Sequence, residues 1–190
     1  MNISHKNLIM FIGRTHSGKT TFAHNLSVAF PNVIVLEADP IAVFMKEKFP
    51  KLRELDDREH SGMFKEISLK FRTFLLFVEF ALSLDRTILL SNSNMWVEGR
   101  RMVFELCKKF NYNIIGVYFD LDESVLVERV LQANRSKDVL RKTKDFQELI
   151  IKQRSRMQVP NPTEFNDFLI IKSEDDLKMI QEKLTPYLCN

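Results

Sequence analysis

Eight residues near the start of the chain, Gly13-Arg14-Thr15-His16-Ser17-Gly18-Lys19-Thr20, have the types and spacing of a phosphate-binding loop. Gly13 and Gly18 let the backbone close in. Successive N–H groups and the positive end of a following helix then converge, so an anion meets fixed dipoles. Lys19 would reach the β- and γ-phosphates of a nucleotide, and the Thr20 hydroxyl would take one coordination position on Mg²⁺. Thr21 closes the stretch in a capping or packing role.

Two elements must hold that loop. The apolar run Leu8-Ile9-Met10-Phe11-Ile12 reads as a buried strand leading into it. Phe22, Leu26, Ala29 and Phe30 recur at helical spacing after it, and Pro31 stops the helix. A second strand, Asn32 to Leu36, ends in Glu37-Ala38-Asp39-Pro40. Ligands of open parallel α/β sheets bind at the C-terminal edge of the strands, which puts Glu37 and Asp39 on the same rim as the loop. Asp39 is the candidate base for an acceptor hydroxyl, with Glu37 in reserve; the alternative role for Asp39 is to cap the next helix. Pro40 suits the first turn of a short helix through Ile41, Phe44 and Met45. The charged stretch from Lys46 to His60 reads as helix end and loop.

Farther along, Phe64, Ile67, Phe71, Phe74, Leu75, Val78, Ala81 and Leu82 keep a helical period whose phenylalanines belong to a core. Thr87 to Leu90 is a strand ending in Ser91-Asn92-Ser93-Asn94, followed by a helix from Val97 to Phe110 that carries Arg100 and Arg101. Trp96 beside these arginines could line a groove for bases and phosphates. Asn113 to Phe119 is a strand with Asp120 and Asp122 at its end, and Glu123 to Gln132 a helix. Phe146, Leu149, Ile150, Gln153 and Met157 mark another helix, ended by Pro160 and Pro162. Phe168 to Ile171 is the last strand, and Ser173 with Asp176 forms a capping-box pattern for a closing helix. Strands and helices alternate about five times. The expectation is a single α/β domain over 1–190, a three-layer sandwich with a parallel sheet of about five strands and helices on both faces.

Composition agrees with a globular chain: 45% apolar, 28% charged, net charge +3. The charge is unevenly placed. Nine basic and three acidic residues lie between Arg129 and Arg156, which suggests contacts to phosphates more than a general affinity for nucleic acid or membrane. That segment suits a helical lid over about 129–145, excluding water from a reacting phosphate. Arg129 and Arg135 are best placed there, each offering a planar fork of donors; Arg141 and Arg154 are weaker candidates. Cys107 and Cys189 have no metal or disulfide spacing, and Cys107 falls in an apolar helical pattern. With no signal-peptide pattern and no span long enough for a bilayer, the expected location is cytoplasmic, with no membrane and no obligate protein partner.

Taken together, the loop, Asp39, the Ser91-Asn92-Ser93-Asn94 stretch and the Glu128-Arg129 to Asn134-Arg135 stretch resemble the small P-loop kinases. They are most similar to the polynucleotide 5′-hydroxyl kinase branch, in register from Asn7 to about Met157. The resemblance implies the P-loop NTPase fold, ATP and Mg²⁺, an acceptor-side aspartate and lid arginines. Position by position, Lys19 and Thr20 match the donor site, Asp39 the base, Asn94 the polar residue after the third strand, and Arg129 and Arg135 the lid. Glu37, Asn94 and Arg101 are assigned to the acceptor. The chain departs from that branch in three places. Ala42 stands where the branch has an arginine for the acceptor's phosphate, Ser91-Asn92-Ser93 lacks the usual acid, and Val139-Leu140 replaces Val-Pro.

These features imply an ATP-dependent kinase acting on a hydroxyl, polynucleotide-kinase-like. The apolar Ile41-Ala42-Val43-Phe44 favours an alternative, a small-molecule hydroxyl kinase similar to chloramphenicol phosphotransferase. A nucleotide-binding ATPase or switch protein without transfer is the third reading. A nucleoside-monophosphate kinase is disfavoured, because no second arginine cluster lies near Asp39.

Overall fold

The computed structural model describes residues 6–51, 68–133 and 144–189. Its elements run β1 (Asn7–Gly13), α1 (Lys19–Ala29), β2 (Ile34–Glu37), α2 (Ala38–Lys48), α3 (Leu69–Leu82), β3 (Ile88–Ser91), α4 (Val97–Lys109), β4 (Asn113–Phe119), α5 (Glu123–Gln132), α6 (Phe146–Arg156), β5 (Asp167–Ile171) and α7 (Asp176–Leu188). A 3₁₀ turn, Pro162–Glu164, precedes β5.

The five strands form one sheet in the order β2-β3-β1-β4-β5, and every pairing is parallel. Such a sheet is buried on both faces, and β1 reads accordingly as an apolar run from Leu8 to Ile12, with all seven strand positions buried. Its side chains alternate. Ile9 and Phe11 pack with Phe22, Ala23 and Leu26 of α1, Ile150 of α6, and Ile180, Leu184 and Leu188 of α7. Leu8, Met10 and Ile12 pack on the other side with Phe74, Val78, Ala81 and Leu82 of α3 and Val103 and Cys107 of α4. A period of two in the strand thus supplies both cores of a three-layer sandwich.

Strand order fixes where a ligand can sit. The chain leaves β1 through α1, skips a place to form β2, and returns through α2 and α3 to lay β3 between them. The C-terminal ends of β1, β3 and β2 therefore open on one crevice, carrying the loop, Ser91 and Glu37.

Boundaries differ from expectation in a few places. α3 begins at Leu69, capped by the Ser68 hydroxyl, which accepts from Phe71 N–H at 3.2 Å; Phe64 and Ile67 lie outside the described residues. The closing helix starts at Asp176, not just after Ser173. The Asp176 carboxylate does reach back, accepting from the Lys172 and Ser173 N–H groups at 2.8 and 2.9 Å, but it folds that segment into a loop before the helix begins. A true capping box occurs instead at the 3₁₀ turn, between Asn161 and Glu164. No helix among the described residues is long and apolar enough to cross a membrane.

Candidate active site

The loop between β1 and α1 takes its shape from backbone that side chains avoid. Gly18, at the N-cap of α1, has φ +94°, and His16 has φ +59°. Gly13 serves close approach: its N–H donates to the Ser93 carbonyl at 3.0 Å, and a Cβ there would meet Phe119 at 3.0 Å. Lys19 is buried and folds back over the loop, Nζ donating to the Arg14 carbonyl at 2.6 Å and the Ser17 hydroxyl at 2.9 Å. The Thr20 and Ser91 hydroxyls lie 3.1 Å apart, joining the start of α1 to the end of β3.

Beside the loop is a cavity of about 1150 Å³. It is lined by Thr15 to Phe22 and Arg129 around the loop, and by Glu37, Asp39, Lys70 and Ser91 to Ser93 from the ends of β2 and β3 and from α2 and α3. Its volume exceeds the ~300–1,000 Å³ typical of one small ligand, so donor and acceptor can share it. Asp39 sits in the first turn of α2, and Lys70 of α3 donates to its carboxylate at 2.8 Å. Glu37 faces His24 of α1 at 2.7 Å. Arg129 donates to the His16 carbonyl at 3.3 Å and to Glu174 at 2.7 Å, so its guanidinium lies along the loop.

Three assigned residues are placed elsewhere. Arg14 turns away from the cavity and donates to Glu123 and the Leu121 carbonyl at 2.8 and 2.9 Å, bracing the loop against α5. Asn94 is buried at positive φ, and its amide donates to the Phe11 carbonyl at 2.7 Å, stitching the turn after β3 to β1. Arg101 is exposed and pairs with Glu98 one turn earlier. None of the three lines the cavity. Arg135 and most of the expected lid, 134–143, lie outside the described residues.

Three residues at the site, Gln153, Phe146 and Lys70, carry no assignment from the sequence. Gln153 of α6 accepts from the Thr15 N–H at 2.7 Å, and the Phe146 ring packs edge-on against His16 at 4.7 Å. Both stood in the apolar stripe read as a helix face; a glutamine in such a stripe was the available signal. Lys70 had none, since its partner is 31 residues away.

The oxygens at the loop's edge suit a hard cation. Among the described residues no group of three or more His, Cys, Asp or Glu is arranged for a metal. Thr20, with Ser91 beside it, could hold a Mg²⁺ that takes its other ligands from phosphate and water, as this ion commonly does.

Solved structures share the architecture throughout. A protein of Chloroflexus aurantiacus J-10-fl is 19% identical with TM-score 0.70, covering 99% of this chain and 98% of its own. A gluconokinase from Sinorhizobium meliloti 1021 is 17% identical with TM-score 0.60, covering 96% and 91%. A fungal RNA kinase is 17% identical with TM-score 0.61, covering 96% and 87%. No curated protein matches the chain. The fold is that of the P-loop kinases, and, with residues 8–160 matching the family described as AAA domain, the chain belongs to that family.

Proposed function

We propose that the protein is a kinase that transfers the γ-phosphate of ATP to an alcohol hydroxyl, with Asp39 as the base. One observation carries this reading: the phosphate-binding loop and Asp39 line the same cavity. Phosphoryl transfer asks little covalent chemistry of a protein and much positioning and charge neutralisation. The loop N–H groups and Lys19 hold the β- and γ-phosphates, and Arg129, released from Glu174, adds a fork of donors. Bound at Thr20, Mg²⁺ would neutralise charge on the β- and γ-oxygens. Asp39, held by Lys70, takes the acceptor's proton as its oxygen attacks the γ-phosphorus. The bond from that phosphorus to the β-γ bridging oxygen breaks, and ADP leaves with the electron pair.

Proteins of this fold include ones named gluconokinase and RNA kinase, so both a small alcohol and a polynucleotide 5′-hydroxyl stand as acceptors. The wall around Asp39 favours the small alcohol. It carries Glu37 and Glu47 besides Asp39, and Ala42, where a polynucleotide kinase has arginine, is absent from the lining.

The test is incubation with ATP, Mg²⁺ and panels of alcohols and 5′-hydroxyl oligonucleotides, read by mass spectrometry. A phosphorylated acceptor is expected. ATP bound and hydrolysed at one rate whatever alcohol is present would instead favour a nucleotide-dependent switch.

A further inference from the structure

The face that α2 turns to the cavity comprises Asp39, Pro40, Val43, Phe44 and Glu47. Their spacing is one stripe of a 3.6-residue helix, so a single wall runs from the base to Glu47. Eight residues at 1.5 Å rise place the two carboxyl-bearing positions about 12 Å apart along the axis. Between them lies an apolar strip. Phe44 remains 51% exposed although it lines a cavity, so a ligand laid along α2 would cover it.

Among the described residues this half of the cavity has Glu37, Asp39 and Glu47 against Lys70, and the Lys70 ammonium already faces Asp39 at 2.8 Å. The cations Lys19 and Arg129 lie on the phosphate side. A polyanion threaded past Asp39 would set its phosphates against carboxylates; an ammonium would meet Glu47 favourably.

We infer that the acceptor is a small amine-bearing alcohol with an apolar body, its hydroxyl at Asp39, its apolar face on Pro40, Val43 and Phe44, and its ammonium at Glu47. This rests on the kinase reading for the hydroxyl's fate, but the binding it requires can be measured without transfer.

The experiment uses the full chain with para-(aminoethyl)benzyl alcohol, its N-acetyl derivative and a 5′-hydroxyl oligothymidylate. Binding is measured by calorimetry with a non-hydrolysable ATP analogue present, and transfer with ATP. The amine should bind about fivefold tighter than its N-acetyl form, the scale of one partly exposed ion pair, and Glu47→Gln should bring that ratio to about one. Equal binding of the two forms, no binding of either, a ratio unmoved by Glu47→Gln, or preference for the oligonucleotide would overturn the inference. Amine-selective, Glu47-dependent binding without transfer to any acceptor would leave the amine-alcohol site on α2 standing as a binding site and remove the kinase reading. Transfer to a neutral alcohol or to the oligonucleotide alone would do the reverse.

Discussion

Lys19 illustrates how much of the donor site is local. Its ammonium rests on the Arg14 carbonyl and the Ser17 hydroxyl, groups of its own loop, and in the proposed kinase a nucleotide would exchange those bonds for phosphate oxygens. Lys19→Ala should lower kcat/KM for ATP by about 10²–10³-fold, the scale of losing one preorganised donor, measured by steady-state kinetics. Gly18 is constrained differently. At φ +94° an alanine would be strained by about 1–2 kcal/mol, and its Cβ would lie 3.3 Å from Arg129 Nη1. Gly18→Ala should therefore lower the urea midpoint as well as ATP affinity. The placements of both residues in the loop were legible in the sequence because the loop's spacing contains its own geometry. Asn94 and Arg101 were not: proximity along the chain to the end of β3 says which rim a residue is near, but not whether its side chain turns to β1, to solvent or to the cavity.

At the scale of elements, α4 is tied to the chain before β5 by a buried ion pair. The Arg100 side chain is fully buried, with Nε donating to Glu164 at 3.0 Å and Nη1 to the Asn94 and Gln158 carbonyls at 3.1 Å. Sequence pattern set Arg100 beside Trp96 in a possible groove. Yet Arg100, Val103 and Cys107 fall on one helical face, and all three are buried. Burial raises the Glu164 pKa, but hydrogen bonds from Arg100 and the Asn161 N–H, with the Arg100 charge, outweigh it and hold the carboxyl below its ordinary 4.5. A depressed carboxyl pKa stabilises the fold above the unfolded value and loses that contribution as pH falls through the folded one. Urea midpoints should thus decline below pH about 4.5, and Glu164→Gln, costing about 2 kcal/mol at pH 7, should blunt that decline. A midpoint falling equally in both proteins would contradict the assignment. β4 has its own constraint: a Cβ at Gly116 would come within 2.6 Å of Phe168 and 2.9 Å of Phe165. Gly116→Ala should cost about 1–3 kcal/mol in equilibrium unfolding.

For the whole molecule, the order of the sheet decides what meets what. Alternating strands and helices predict a parallel sheet, and apolar periodicity marks most helices to within a few residues. The β2-β3-β1-β4-β5 order is not a local property, and it is the order that brings Asp39, Ser91 and the loop to one crevice. The double core offers a probe of its integrity. Cys107 is fully buried in the face under α3 and α4, its thiol pushed up to about 12 by burial, while Cys189 is exposed. A thiol reagent at pH 8 should label one cysteine in the native protein and two after unfolding.

In the proposed kinase, one cavity holds a phosphate donor on the loop and a proton acceptor at Asp39. Rapid-quench single-turnover transfer from γ-labelled ATP, compared in the wild type and Asp39→Asn with ATP affinity measured in parallel, tests it most directly. The transfer rate should fall by about 10²–10⁴-fold in Asp39→Asn with ATP affinity unchanged. Transfer at the wild-type rate in Asp39→Asn would contradict it.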